Sequence, residues 1–228
     1  MEYKKKVFRK FHGYENCRLC KALVKEEWEP HLTDVFNMCI KKTDVVLDCG
    51  AHIGYHTLQM SKLAQKVHSF ECNPKTYLYL KQNTQHLKNV EINKLGLSDI
   101  IGTTTINYCD EGNTGACGLN DNPMGIPSQF QSIKKEIKVN LITIDSLQLL
   151  RVNFMKIDVE GYERKVINGA IQTIHRCKPI MVIEVWKNHN GESDIEHTKT
   201  LFSDLLNIYD VIRILNTPDY LFIPKKII

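Results

Sequence analysis

The chain has 228 residues, of which 43% are hydrophobic and 25% are charged. This composition suits one globular α/β domain and excludes a wholly disordered chain, because there is enough apolar material for a core. The net charge of +4 is weaker than the basic bias of dedicated nucleic-acid-binding proteins. No apolar run approaches the roughly 20 residues of a membrane span and no signal peptide is recognisable, so we expect a soluble, cytoplasmic protein.

Residues 1–43 precede the first predicted strand and are interpreted as a helical extension. The apolar spacing over residues 24–40 predicts one or two amphipathic helices, broken near Pro30. The basic cluster at residues 4–10 is typical of a solvated arm, with a phosphate-rich or membrane-surface partner as the alternative. Residues 17–20 contain a lone C-x-x-C, but a zinc site needs about four ligands, so we expect reduced thiols.

From residue 44 to residue 228, apolar strands alternate with helices. The predicted strands are Asp44–Cys49, Lys66–Glu71, Val90–Leu97, Thr103–Tyr108, Lys138–Ile144, Asn153–Asp158, Ile180–Trp186, Asp210–Leu215 and Tyr220–Pro224. The predicted helices are Tyr55–Ala64, Asn73–Leu87, Glu163–Arg176 and His197–Ile208. This alternation predicts one Rossmann-like α/β domain, with a mostly parallel sheet covered by helices on both faces. The closing strand pair predicts an antiparallel edge strand.

The middle of this domain, at about residues 101–145, has alternating, β-rich segments with a loop-like stretch between them, and it is interpreted as a β-rich and loop insertion. Its segment at residues 110–131 is rich in Gly, Asn, Pro and Asp. A loop of this length is either a lid over a substrate or a surface insertion.

The turn after the first strand, Asp48-Cys49-Gly50-Ala51-His52-Ile53-Gly54, is the most informative stretch. Its spacing is G-x-x-x-G after an aspartate, and it lacks the G-x-G-x-x-G that places a pyrophosphate on a helix. This argues against an NAD-dependent oxidoreductase. S-adenosylmethionine presents an ammonium and a carboxylate instead of phosphates, and the carboxylate of Asp48 suits the ammonium.

Glu71 ends the second predicted strand, 17 residues beyond Gly54. An acid in that place can accept hydrogen bonds from both ribose hydroxyls of a nucleoside. Taken alone, Asp48 could be a turn residue and Glu71 a solvated strand end. Together, at the carboxyl ends of adjacent strands, they favour an adenosyl cofactor.

Acidic residues also lie near the carboxyl ends of two later strands. Asp158 ends the predicted strand Asn153–Asp158 and Glu160 lies two residues further on, and we expect them on the cofactor side and the acceptor side of a catalytic site, respectively. Glu184 lies in an apolar strand and His189 in the polar turn after it, so both are candidate bases. Three carboxylates with one His could also hold Mg²⁺ or Mn²⁺, but we favour a site without a metal. Glu163 is interpreted as a first-turn helix acid.

Because its motifs occur in the order typical of that family, the chain resembles the FkbM-type methyltransferases over about residues 26–187. The resembling segments are VVLDCGAHIGYHTL, SFECNP, Leu97-Ser98-Asp99, TIDSL, MKIDVEGYE, Asn168-Gly169-Ala170 and KPIMVIEVW. The resemblance implies a class I methyltransferase fold with a seven-stranded sheet, S-adenosylmethionine as cofactor and transfer to an oxygen. Carbohydrates and related hydroxylated compounds are common acceptors in that family.

The resemblance also implies further cofactor contacts. Ser98 and Asp99 are expected to flank the adenine, and His52 and Cys72 to contact the cofactor, although the family usually has Asn and Pro at the last two positions. A methyltransferase for nucleic acid or protein is a less favoured alternative. A module that keeps the fold without catalysis is an alternative from another class. No oligomeric state is predicted.

Overall fold

The computed structural model describes residues 2–3, 11–13, 28–108, 118–119, 135–186, 193–214 and 216–226. The strands are β1 Glu2–Tyr3, β2 Phe11–His12, β3 Val45–Cys49, β4 Lys66–Phe70, β5 Val90–Asn93, β6 Gly96–Leu97, β7 Gly102–Tyr108, β8 Gly118–Leu119, β9 Lys135–Ile142, β10 Phe154–Ile157, β11 Ile180–Glu184, β12 Tyr209–Arg213 and β13 Asp219–Pro224. The α-helices are α1 Pro30–Cys39, α2 Tyr55–Ser61, α3 Pro74–Thr84, α4 Glu163–Asn168, α5 Ile171–Cys177 and α6 Ile195–Leu201. Short 3-10 helices cover Asp145–Leu147 and Ser203–Leu205.

Seven strands form the central sheet, in the order β12-β13-β11-β10-β3-β4-β5. Strands β11, β10, β3, β4 and β5 are parallel, and β13 pairs antiparallel with both β11 and β12 at one edge. The predicted fold class is confirmed. From β3 the chain builds outward to β4 and β5, and it later returns to the other side of β3 with β10. Open α/β sheets bind ligands outside the carboxyl ends of the strands at such a reversal.

Apolar side chains alternate along the central strands and fill a core on each face of the sheet. Leu47 and Met155 lie in the core that includes the buried residues of α4 and α5. Val46 and Phe154 lie in the opposite core, which includes those of α1. Phe154 meets Phe36 of α1 edge to face at 5.8 Å between ring centroids. Such a pair contributes about 1 kcal/mol beyond its buried area.

A second sheet, in the order β6-β9-β7-β8, contains the two alternating segments predicted in the middle of the chain. The single strand predicted over Val90–Leu97 is wrong, because the chain leaves the central sheet after Asn93 and β6 pairs with β9. Gly96 permits the close approach, since a Cβ there would lie 2.7 Å from the side chain of Leu141. That this region is an insertion in a domain beginning at residue 44 stays a prediction.

The helix predicted over Glu163–Arg176 is interrupted, and α4 and α5 replace it. The interruption has a local cause in Asp145, whose carboxylate accepts hydrogen bonds from the backbone N–H groups of Gln172 and Thr173. The backbone N–H of Asp145 donates to the carbonyl of Gly169. Side-chain capping of this kind favours a new helix start over continuation.

Near the N-terminus, α1 begins at Pro30, where proline at the first helical position is favourable. The basic cluster, the C-x-x-C and most of the segment at residues 110–131 lie outside the described residues, as does His189. No helix in the described part of the chain is long and apolar enough to span a membrane.

Candidate active site

The turn between β3 and α2 is built on two glycines with left-handed backbone, Gly50 at φ 86° and Gly54 at φ 91°. A Cβ at Gly50 would lie 1.8 Å from the backbone oxygen of Asp158. The missing side chain therefore lets the carboxyl ends of β3 and β10 approach each other. The backbone N–H groups of Gly50 and Ala51 both donate to the carbonyl of Phe70, which fixes the turn against the end of β4.

Asp48 is fully buried at the base of this turn. Its Oδ2 accepts a hydrogen bond from Thr57 of α2 at 2.5 Å. Among the described residues its Oδ1 has no hydrogen-bond partner. Burial raises the pKa of Asp48, and the nearby ammonium of Lys156 opposes that effect. A buried carboxylate oxygen without a donor suits a ligand that supplies one.

Glu71 directly follows β4, and each of its carboxylate oxygens accepts one backbone hydrogen bond. The N–H of His52 donates to Oε2 at 3.0 Å and the N–H of Asn73 to Oε1 at 2.7 Å. Burial raises the pKa of Glu71 to about 7 in spite of these bonds. Each oxygen keeps a further lone pair, so the group can accept two more hydrogen bonds in a fixed orientation.

Cys72, Ser98 and Asp99 lie beside this edge. A Cβ at Gly96 would be 3.4 Å from the Cβ of Cys72, so β6 runs next to it. The Ser98 hydroxyl donates to Asp99 at 3.0 Å, and Ser98 is buried while Asp99 is exposed. Burial also raises the pKa of the Cys72 thiol, which is therefore neutral. The structure thus sets the end of β4 and the end of β6 side by side.

Lys156, inside β10, is a charged residue that the sequence reasoning missed. Its side chain is 3% exposed, and its Nζ donates to Asp158 at 2.7 Å. Across the sheet it pairs in register with Asp48 of β3. Burial alone would lower the pKa of Lys156, but the charges of Asp158, Asp48 and Glu29 outweigh it and raise the pKa.

Asp158 is correspondingly the ionised member of a group of acids. Burial would raise its pKa, but the ion pair with Lys156 prevails and lowers it. Glu184, at the end of β11, shares a hydrogen bond with Asp158. Burial and the charge of Asp158 raise the pKa values of both Glu184 and Glu160 well above the usual range. One fixed carboxylate is therefore flanked by two acids that hold protons readily.

Glu163 has a structural position in the same turn. Its Oε1 accepts hydrogen bonds from the backbone N–H groups of Gly161 at 3.0 Å and Val159 at 3.2 Å. Burial raises its pKa to about 7. These bonds hold the loop that carries Glu160, which has a left-handed backbone at φ 54°.

Two histidine–carboxylate pairs complete the surroundings, and the sequence reasoning did not find them. His56 Nε2 lies 2.7 Å from Glu29 Oε2, and His31 Nε2 lies 2.8 Å from Asp219 Oδ2. Asp219 pairs in register with Glu184 across β11 and β13. Lys156 could have been found from the sequence, because a lysine within an apolar strand is unusual. No sequence motif relates the two members of either histidine–carboxylate pair to each other.

Backbone strain is concentrated at this edge. In the described ranges, six non-glycine residues have positive φ, and Glu29, His52 and Glu160 are three of them. Such conformations persist where surrounding contacts impose them, and they are frequent at functional sites. Within the same ranges, no group of three or more His, Cys, Asp or Glu side chains is arranged to hold a metal ion.

Comparison with known proteins agrees with this architecture. A crystal structure of a methyltransferase FkbM from Methylobacillus flagellatus superposes with a TM-score of 0.54 at 16% identity, covering 80% of this chain and 44% of that one. A proposed methyltransferase from Streptococcus mutans, in complex with SAH, superposes with a TM-score of 0.50 at 15% identity, covering 84% and 93% of the two chains. The fold is that of the class I methyltransferases.

The sequence matches the model of the methyltransferase FkbM domain over residues 48–215. The chain belongs to this family, as its resemblance predicted, and its domain is that of an S-adenosylmethionine-dependent methyltransferase. The hexuronic acid methyltransferase AglP of Haloferax volcanii is 25% identical over 176 residues, which are 74% of this chain and 66% of that protein. The chain thus spans less than two thirds of this relative and under half of the Methylobacillus protein.

Proposed function

We propose that this protein transfers the methyl group of S-adenosylmethionine to a hydroxyl group of a sugar or a related hydroxylated small molecule. The observation that carries the proposal is the arrangement of acids at the carboxyl edge of the sheet. Asp158 is kept ionised by Lys156, and its charge, together with burial, raises the pKa values of Glu160 and Glu184. The cofactor turn with Asp48 adjoins this group.

The residues of the turn fit S-adenosylmethionine. The Oδ1 of Asp48, which has no hydrogen-bond partner in the part of the chain that the structure describes, suits the ammonium of the cofactor, and the spare lone pairs of Glu71 suit its two ribose hydroxyls. Gly96, two residues before Ser98, lies against Cys72 at the end of β4, and we expect an adenine attached to that ribose to extend towards Ser98 and Asp99. When bound, the cofactor supplies an electrophilic methyl group on sulfur.

The protein then has to position an acceptor hydroxyl and remove its proton. Burial and the charge of Asp158 raise the pKa values of Glu160 and Glu184, so each carboxylate, once ionised, is a stronger base than an ordinary glutamate. We assign Glu160 to accept the hydroxyl proton, with Glu184 holding Asp158 in place through their shared hydrogen bond. His189 remains a candidate base outside the described residues.

Sugar acceptors are supported by the curated relative, which is named for a hexuronic acid. The acceptors to test are therefore neutral sugars, amino sugars and uronic acids, with RNA added for the alternative function. S-adenosylhomocysteine release is measured for the wild type and for Glu160→Gln. We expect release with at least one sugar, and a loss in Glu160→Gln of about a hundredfold or more, the usual contribution of a general base.

Glu196→Gln is the matched control, since Glu196 is an exposed acid on α6. It should keep the wild-type rate. Release with RNA alone would replace the sugar proposal by the nucleic-acid alternative. Equal rates for Glu160→Gln and the wild type would remove Glu160 as the base.

A further inference from the structure

The start of α1, together with Glu29 directly before it, is attached to both sides of the proposed methyl-transfer site. On one side, Glu29 pairs with His56 of α2, two residues after Gly54 of the cofactor turn. On the other side, His31 pairs with Asp219, the register partner of Glu184. Three residues of chain therefore join the cofactor turn to the acidic end of β11.

The carboxylate of Glu29 is held in one orientation. The Nδ1 of His56 lies 2.9 Å from Oε1 of Gln59, and the Nε2 of Gln59 donates to the hydroxyl of Thr33 at 2.8 Å. The amide oxygen of Gln59 thus faces the ring, so Nδ1 carries a proton and Nε2 faces Glu29. Phe36 packs edge to face on the same ring at 5.4 Å between centroids. The ring cannot turn without losing both hydrogen bonds.

We propose that Glu29 is a positioning residue of the methyl-transfer site: its carboxylate, fixed by His56, controls how readily Glu160 accepts the proton of the acceptor. The inference rests on the proposed function. Glu29 lies outside the matched family domain, which begins at residue 48. Glu29, directly before α1, therefore supplies a functional group to the family domain.

The charges that face the two glutamates support this role. The carboxylate of Glu29 raises the pKa values of Glu160 and Glu184, in addition to the larger effect of burial, and it raises the pKa of Lys156 against the effect of burial. The other charged groups facing Glu160 and Glu184 are Asp158, Glu163, Lys156 and Asp219. The charge of His56 acts on Asp48 and Asp158, whose pKa values it lowers.

The test compares Glu29→Gln, which keeps the size and removes the charge, with Glu29→Asp, which keeps the charge and shortens the reach. With the acceptor found for the wild type, kcat and KM are measured against pH. Glu29→Gln should move the acidic limb of the kcat profile to lower pH and lower the plateau by roughly three- to tenfold, because a less basic carboxylate is a weaker base. Glu29→Asp should keep the limb closer to the wild type.

Asp34→Asn is the matched control, since Asp34 is an exposed acid on α1, the helix that follows Glu29. It should leave the pH profile unchanged, and calorimetry should give the same affinity for S-adenosylhomocysteine in all four proteins. A profile for Glu29→Gln that coincides with the wild type would overturn the role of Glu29 and leave the proposed function intact. No turnover by the wild type with any acceptor would overturn the proposed function, and the role of Glu29 with it.

Discussion

Lys156 holds its charge in the interior of the sheet because two carboxylates compensate it. Its Nζ bonds to Asp158, and Asp48 is its neighbour on β3. Taking a charge out of water costs several kcal/mol, and only good partners offset this. Lys156 therefore matters most as the group that keeps Asp158 ionised.

Replacing Lys156 by Met should leave buried acids without a partner and lower the free energy of unfolding by about 3 kcal/mol at neutral pH. In the wild type the lowered pKa of Asp158 stabilises the fold above the pKa of the unfolded chain, and this contribution is lost as the pH falls. Without Lys156, burial raises that pKa, so the variant regains stability relative to the wild type at about pH 5. Urea denaturation at both pH values measures the difference.

Lys138→Met is the control, because Lys138 is exposed on β9. Its free energy of unfolding should stay within about 0.5 kcal/mol of the wild type. A loss that is equal at both pH values in Lys156→Met would mean that the lysine acts through packing of its chain rather than through its charge.

The placement of three acids at one edge was predictable at this scale. Asp48, Glu71 and Asp158 lie at the carboxyl ends of predicted parallel strands, and such ends meet at one edge of a sheet. Glu29 and His56 were not predictable, because their pairing depends on how α1 packs against the sheet. A local pattern contains no information about such a contact.

At the scale of elements, the junction of α4 and α5 positions the turn at Ser98. A Cβ at Gly169 would lie 2.0 Å from the carbonyl oxygen of Ser98 and 3.2 Å from the Cα of Asp99. Both contacts are with backbone, which cannot rotate away. The same junction explains why a helix predicted in one piece occurs as two.

Gly169→Ala should therefore displace the Ser98–Asp99 turn and lower the free energy of unfolding by about 2 kcal/mol, within the usual range for overpacking. It should also weaken S-adenosylhomocysteine binding. Gly102→Ala is the matched control, because a Cβ at Gly102 meets nothing within 4 Å. Thermal unfolding measures the stability of both variants, and calorimetry measures their affinity for S-adenosylhomocysteine. Equal stability of the two would show that the Ser98–Asp99 turn accommodates the added methyl group without loss of stability.

The boundaries that the sequence could not predict are those that tertiary contacts decide. Residues 90–97 have a continuous strand pattern, yet β5 and β6 belong to different sheets because β6 pairs with β9. The alternation of strands and helices, by contrast, depends on local periodicity. It was sufficient to predict the class of fold.

For the whole molecule, the order of the central strands is what creates the site. The chain reverses its direction of growth between β3 and β10, so the carboxyl ends of these strands and of β4 lie together at one edge of the sheet. The cofactor turn, Glu71 and Asp158 are brought to one edge by this topology. The proposed function requires a cofactor bound at this edge.

The most direct test is calorimetric titration of S-adenosylhomocysteine into the wild type and Glu71→Gln. Because ribose hydroxyls donate to an ionised carboxylate, and the pKa of Glu71 is about 7, wild-type affinity should rise with pH between about pH 6 and pH 8. Glu71→Gln should bind roughly tenfold or more weakly at the higher pH, the value of hydrogen bonds to a charged group. Its affinity should lose the pH dependence.

Glu163→Gln serves as control, since the pKa of Glu163 is also about 7 but its carboxylate bonds within its own turn. It should retain the pH dependence of the wild type. Only Glu71→Gln should lose both the affinity and its pH dependence. No binding by the wild type, or the same affinity and pH dependence in Glu71→Gln as in the wild type, would contradict the proposed cofactor site.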